Sequence, residues 1–129
     1  MAEPLEIKQG TTRTIVVSKL RDSAGQPLDP TGWEVHAVAR AGVWGPVVAA
    51  WRTTPGDGEG LAEVVDADPD VDPTAAGEKW IYLHITPAWS DGWTWTYADL
   101  DIEIHEPPPL SREEAFSRQL KLIPTTVRA

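Results

Sequence analysis

Residues 80 to 104 carry two runs of strict two-residue alternation, and this pattern limits the fold more than any other feature of the chain. In the first run Trp80, Tyr82 and His84 share one face and Ile81, Leu83 and Ile85 the other, because successive strand side chains point to opposite sides of a sheet. Both faces are largely apolar, which predicts a central strand covered on both sides. In the second run Leu100, Ile102 and Ile104 alternate with Asp99, Asp101 and Glu103, the pattern of a strand with one buried and one solvated face. Pro87, Ser90, Asp91 and Gly92 lie between the two runs and predict a bend. The expectation is a long hairpin on which shorter strands assemble.

The rest of the chain reads as more strands. Leu5 to Lys8 is short and stops at Gly10; in Thr12 to Lys19, Arg13, Ile15 and Val17 alternate with Thr14, Val16 and Ser18, with β-branched residues that suit a pleated surface. Asp22-Ser23-Ala24-Gly25 is turn chemistry, and Pro27, Pro30 and Gly32 keep the next link irregular. Trp33, Val35, Ala37 and Ala39 then mark the inner face of a third strand. Val47 to Thr53 and Leu61 to Val65, separated by the turn-forming Pro55 to Gly60, predict a second hairpin. Asp66 to Gly77, with two prolines and four aspartates, predicts an exposed loop. Pro107 to Pro109 is expected to be extended, and Ser111 with Glu114 three residues on has the form of a capped helix start. Arg118 to Ile123 closes the pattern with a last strand. Turns at this spacing and almost no helical period predict an all-β fold, an immunoglobulin-like antiparallel β-sandwich of about eight strands, with one domain over residues 1–123 and a tail over 124–129.

Charge excludes some partners. The chain of 129 residues has a net charge of −9, and the acidity is concentrated in residues 54 to 106, which carry thirteen Asp/Glu against one lysine. A chain that neutralises phosphates needs a basic stripe, so neither nucleic acid nor an anionic membrane is an expected partner. There is no cysteine, hence no disulfide framework and no thiolate metal site. No segment has the charged and apolar regions of an export signal, and no apolar run is long enough to span a bilayer, so a soluble protein is expected.

Several constellations invite a chemical reading. Trp89, Trp93, Trp95 and Tyr97 fall close together among seven tryptophans. Buried, they cap one end of a core or form a subunit contact; exposed, they make a stacking platform for sugar rings. Asp66, Asp68, Asp70 and Asp72 have the spacing of a calcium loop, but Val71 stands where such a loop needs glycine and Gly77 where it needs glutamate, so no metal is expected. His36, His84 and His105 have no partner at ligand spacing, the serines lie in no nucleophile-elbow pattern, and Gly56-Asp57-Gly58-Glu59-Gly60 lacks the lysine and helix of a phosphate loop. No catalytic or cofactor-binding residue is expected, and the chain reads as a non-enzyme.

Taken in order, Ile7-Lys8-Gln9-Gly10-Thr11-Thr12, the link from Asp22-Ser23-Ala24-Gly25 through Pro27-Leu28-Asp29-Pro30-Thr31-Gly32-Trp33, and Trp95-Thr96-Tyr97-Ala98-Asp99-Leu100 resemble a family of small β-sandwich proteins of tailed bacteriophages. The set is similar to the N-terminal domain of upper baseplate proteins and to the long-tail-fibre-associated β-sandwich family, over residues 5 to about 123. The resemblance implies a virion structural part, made in the host cytoplasm and present in several copies, as a tail, baseplate or fibre-attachment component. Its implied partners are other phage structural proteins and further copies of itself. It supplies no catalytic or metal-binding residues. Two other readings stand beside it, a capsid decoration protein and a module that binds host cell-wall glycan through Trp89, Trp93 and Trp95.

Overall fold

A computed structural model describes residues 4–18, 20–21, 24–42, 45–108 and 113–123. Eight strands follow one another along the chain: β1 (Leu5–Lys8), β2 (Arg13–Val17), β3 (Glu34–Arg40), β4 (Val47–Arg52), β5 (Gly60–Asp66), β6 (Lys79–Ile85), β7 (Tyr97–His105) and β8 (Glu113–Ile123). A 3-10 turn, Pro73–Ala75, precedes β6, and a short helix, α1 (Pro87–Asp91), follows it. The strands form one sheet in the order β1-β8-β7-β3-β4-β5-β6-β2, curled until its edge strands β1 and β2 touch. The fold is all-β, a sheet nearly closed into a barrel. Two of its pairings, β1 with β8 and β4 with β5, are parallel, so the sheet is mixed.

The alternation at 80 to 104 is seen as expected at the level of each strand. Ile81, Leu83 and Ile85 are buried inside the barrel, and β6 is a central strand between β5 and β2. Its outward Trp80 is also buried, because the 66–77 segment folds back over it and seats Ala67 and Ala75 against the ring. In β7, Leu100, Ile102 and Ile104 are fully buried, whereas Asp101 and Glu103 are exposed.

Strand partners depart from expectation in two places. The two long strands do not form a hairpin: β6 pairs with β5 and β2, and β7 with β3 and β8. Residues 86–96, with α1 among them, carry the chain across the end of the barrel instead of turning it straight back. The second hairpin is also absent. β4 and β5 meet in parallel over only two residue pairs, Trp51 with Gly60 and Arg52 with Leu61, which is where the sheet turns its corner. An apolar run and a turn announce strands, but they do not say which strand lies alongside.

The expected helix start is also corrected. Glu113 and Glu114 are the first residues of β8, paired with His105 and Ile104, while Ser111 and Arg112 lie outside the described residues. A ladder of nine residue pairs with β7 outweighs one capping box, whose value is about 1 kcal/mol. Of the proline run, Pro107 and Pro108 are exposed and outside the strands, and Pro109 lies outside the described residues, as does the 124–129 tail.

The interior is filled by large and small side chains in alternation. Trp51 is fully buried against the small Ala37, its register partner, with Ala39, Ala49 and Ala62 in the same core. Its indole N–H donates to the His84 carbonyl at 3.0 Å, tying β4 to β6 across the barrel. Without that partner the buried N–H would cost about 1–3 kcal/mol.

Candidate functional site

One end of the barrel is closed by the 86–96 segment, where three of the four aromatic residues singled out from the sequence meet. Thr86 caps α1 by accepting from the Trp89 N–H at 3.3 Å, and Pro87 occupies the first helical position, where its missing N–H costs nothing. One helical turn then brings Trp89 and Trp93 edge to face, with centroids 5.1 Å apart. Trp93 lies 5.3 Å from Trp95, and on the other side Trp89 meets Trp51 at 5.3 Å. The four indoles form a continuous row from the barrel interior to its rim. The Trp51–Trp89 and Trp89–Trp93 contacts are edge to face and add about 0.5–1.5 kcal/mol each to the burial of the rings.

The row is shielded to different degrees. Trp51 and Trp93 are buried, Trp89 and Trp95 half-buried, and Tyr97 is 48% exposed on the outer face of β7. The Lys121 ammonium lies 5.8 Å from the Tyr97 ring centroid, a cation–π contact from the adjacent strand. Beside the row runs a groove of about 240 Å³, walled by residues 93–96, Gln9 and the end of β8. The Trp95 indole N–H is buried and has no hydrogen-bond partner among the described residues.

The segment is held down by the β1–β2 turn. Gln9 donates its side-chain amide to the carbonyls of Asp91 and Trp93, at 2.9 and 2.7 Å. Gly10, at φ 77°, turns its N–H to the hydroxyl of the fully buried Ser90, at 2.9 Å. That left-handed conformation is inexpensive only for glycine. The Gln-Gly pair of the sequence thus fastens the tryptophan end. Sequence reasoning did not connect Trp51, Gln9, Ser90 and Lys121 with this aromatic cluster, because all four act across distances of more than twenty residues.

The acidic loop uses its aspartates locally. Asp68 accepts from the Asp70 N–H at 2.9 Å, Asp72 accepts from the N–H and hydroxyl of Thr74 at 3.0 and 2.6 Å, and Asp66 pairs with Lys79. That pairing holds the Lys79 ammonium above the usual lysine range. Among the described residues no group of three or more His, Asp or Glu is placed to hold a metal ion. His84 Nε2 lies 2.5 Å from Glu63 and His105 Nε2 3.3 Å from Glu103, both at the surface. His36 stands outward on β3, half-buried.

A second groove, of about 520 Å³, crosses the outer face of β3, β7 and β8, lined by Arg40, Asp99, Asp101, Ser117, Arg118 and Gln119. Ser117 donates to Asp101 at 2.9 Å. No helix among the described residues is long and apolar enough to cross a membrane. No protein family, curated protein or solved structure matches this chain.

Proposed function

We propose that this chain is a bacteriophage virion structural protein, a tail, baseplate or fibre-attachment part that assembles in several copies with other phage structural proteins and has no catalytic role. The observation that carries the reading is where the resembling pieces lie. Gln9-Gly10 fastens the tryptophan end, the link at 22–33 ends on buried Leu28 and Trp33, and the stretch from Tyr97 to Leu100 opens the central β7. Motifs that hold a scaffold together suit a protein whose task is to be a rigid building unit. An immunoglobulin-like sandwich belongs to the same proposal: the two-pair junction between β4 and β5 divides the sheet into β1-β8-β7-β3-β4 and β5-β6-β2, two faces packed on one core.

Immunogold labelling of purified particles with an antibody to this chain tests the reading. Label at one fixed position on the tail is the expected result; particles free of the chain would overturn it. A wall-glycan module is the second reading, favoured by the 48% exposure of Tyr97 and the half-exposed Trp89 and Trp95. Acrylamide quenching of the indoles, with and without soluble wall glycan, separates the two: protection by glycan supports the module, and unchanged emission removes it.

A further inference from the structure

Strand β8 is paired along only part of one side. β7 runs beside Glu113 to Lys121, and on the opposite side β1 pairs with Leu120 to Ile123. Among the described residues nothing pairs with the 113–119 edge that faces away from β7. Pro4 stands before β1 and lies in no strand. Seven residues of edge without a partner among the described residues are as long as an ordinary strand, and such an edge is a template for another strand.

The sequence of this edge is self-complementary. It reads Glu113-Glu114-Ala115-Phe116-Ser117-Arg118-Gln119, so Phe116 has a glutamate two residues before it and an arginine two residues after it. In an antiparallel pair of identical strands with the two-fold axis at position 116, position 114 lies opposite the partner's Arg118, and the reverse holds by symmetry. Position 113 then lies opposite the partner's Gln119, and no like charges face each other. Phe116 is half-buried at the margin of the core, and across the axis it would meet the partner's Phe116. Arg118 is exposed and makes no side-chain hydrogen bond or ion pair among the described residues.

We propose that two copies of this chain associate through the bare half of β8, antiparallel about Phe116, joining their sheets edge to edge. A two-fold interface must be complementary to itself, and a strand with opposite charges at equal distances from an apolar centre meets that condition. Main-chain hydrogen bonds supply the attraction, and the charges fix the register. The proposal deepens the several-copy reading above by naming a contact. Because it is measured on the isolated chain, it stands or falls apart from any place in a particle.

Light scattering from micromolar to millimolar concentration is the first test, with twice the 14.1 kDa chain mass as the expected limit. Glu114→Arg alone and Arg118→Glu alone should each weaken the dimer by at least about tenfold, since two attractive cross-strand pairs become repulsive. Mixing the two variants in equal amounts should restore it, because each then presents the charge the other lacks; restoration also shows that both are folded. Phe116→Cys supplies a second readout in a chain without cysteine. A thiol on the axis faces its own copy at disulfide range and should cross-link far faster than Val47→Cys, an exposed strand position remote from the axis. A wild-type chain that stays monomeric throughout, or charge variants that leave the dimer unchanged, would overturn the proposal. A dimer that survives both variants would leave the several-copy reading intact and this contact wrong.

Discussion

Gly60 shows how closely the tryptophan end is packed. A Cβ there would lie 2.6 Å from the Trp51 ring and 2.7 Å from the Trp89 ring, well inside van der Waals contact. Gly60→Ala is therefore expected to destabilise the chain by about 1–3 kcal/mol, through displacement of two indoles. A lower urea midpoint with altered near-ultraviolet circular dichroism would show it; an unchanged midpoint would mean that the rings can yield. Asp29 is a second case, in which the Thr31 hydroxyl, and after it the Thr31 N–H, hold the carboxyl below the usual aspartate range. Glu59 shifts the same way, through the Gly56 N–H and then Arg52. For both groups the folded chain binds its proton later than the unfolded chain does. Their contribution is present above the usual carboxylate range and is lost as pH falls toward the lowered folded values. Asp29→Asn should lose less stability than the wild type on acidification, read as urea midpoint against pH.

At the scale of elements, the 66–77 segment is more than an exposed loop. Beyond Asp66, the last residue of β5, it has no strand and no α-helix, as its prolines and aspartates require, and Val71 is 70% exposed. Even so, Ala67 and Ala75 close over Trp80, which is only 2% exposed. Asp72, the cap of the 3-10 turn, holds this lid in shape. Asp72→Ala should cost about 1 kcal/mol, and Trp80 should become more accessible to acrylamide. An unchanged quenching curve would show that apolar contact alone holds the lid. The two faces of Trp80 were legible in the alternation of β6; what covered the outer one was not, since alternation reports burial and not the burying partner.

For the whole molecule, the decisive contacts join opposite ends of the chain. β1 lies beside the last residues of β8, with Leu5 against Leu120 and Ile7 against Leu122. Removing residues 1–8 would uncover Leu120 and Leu122, which are 0% and 3% exposed. Loss of the cooperative unfolding transition is expected, and a truncated chain that still melts cooperatively would show β1 to be dispensable. Pairings of such sequence separation also predict slow folding, on the order of milliseconds to seconds, which stopped-flow fluorescence of the buried indoles can follow.

The sequence by itself determined the eight strands, the inward faces of β3 and β7 and the cover of β6 on both sides, because period-two alternation is a local record of burial. Ile81 to Ile85, Leu100 to Ile104 and Val35 to Ala39 could each be read from their own neighbours. Only the tertiary structure decided partnership: β6 and β7 separate across the barrel, β4 and β5 meet in parallel, and Glu113 and Glu114 become strand instead of helix. It also gathered Trp51, Trp89, Trp93 and Trp95 into one row under the clasp of Gln9 and Ser90. The physical reason is that a strand's pairing edge consists of backbone groups common to every residue, so side chains specify what is buried, while the selection among possible neighbours is made by packing of the whole core.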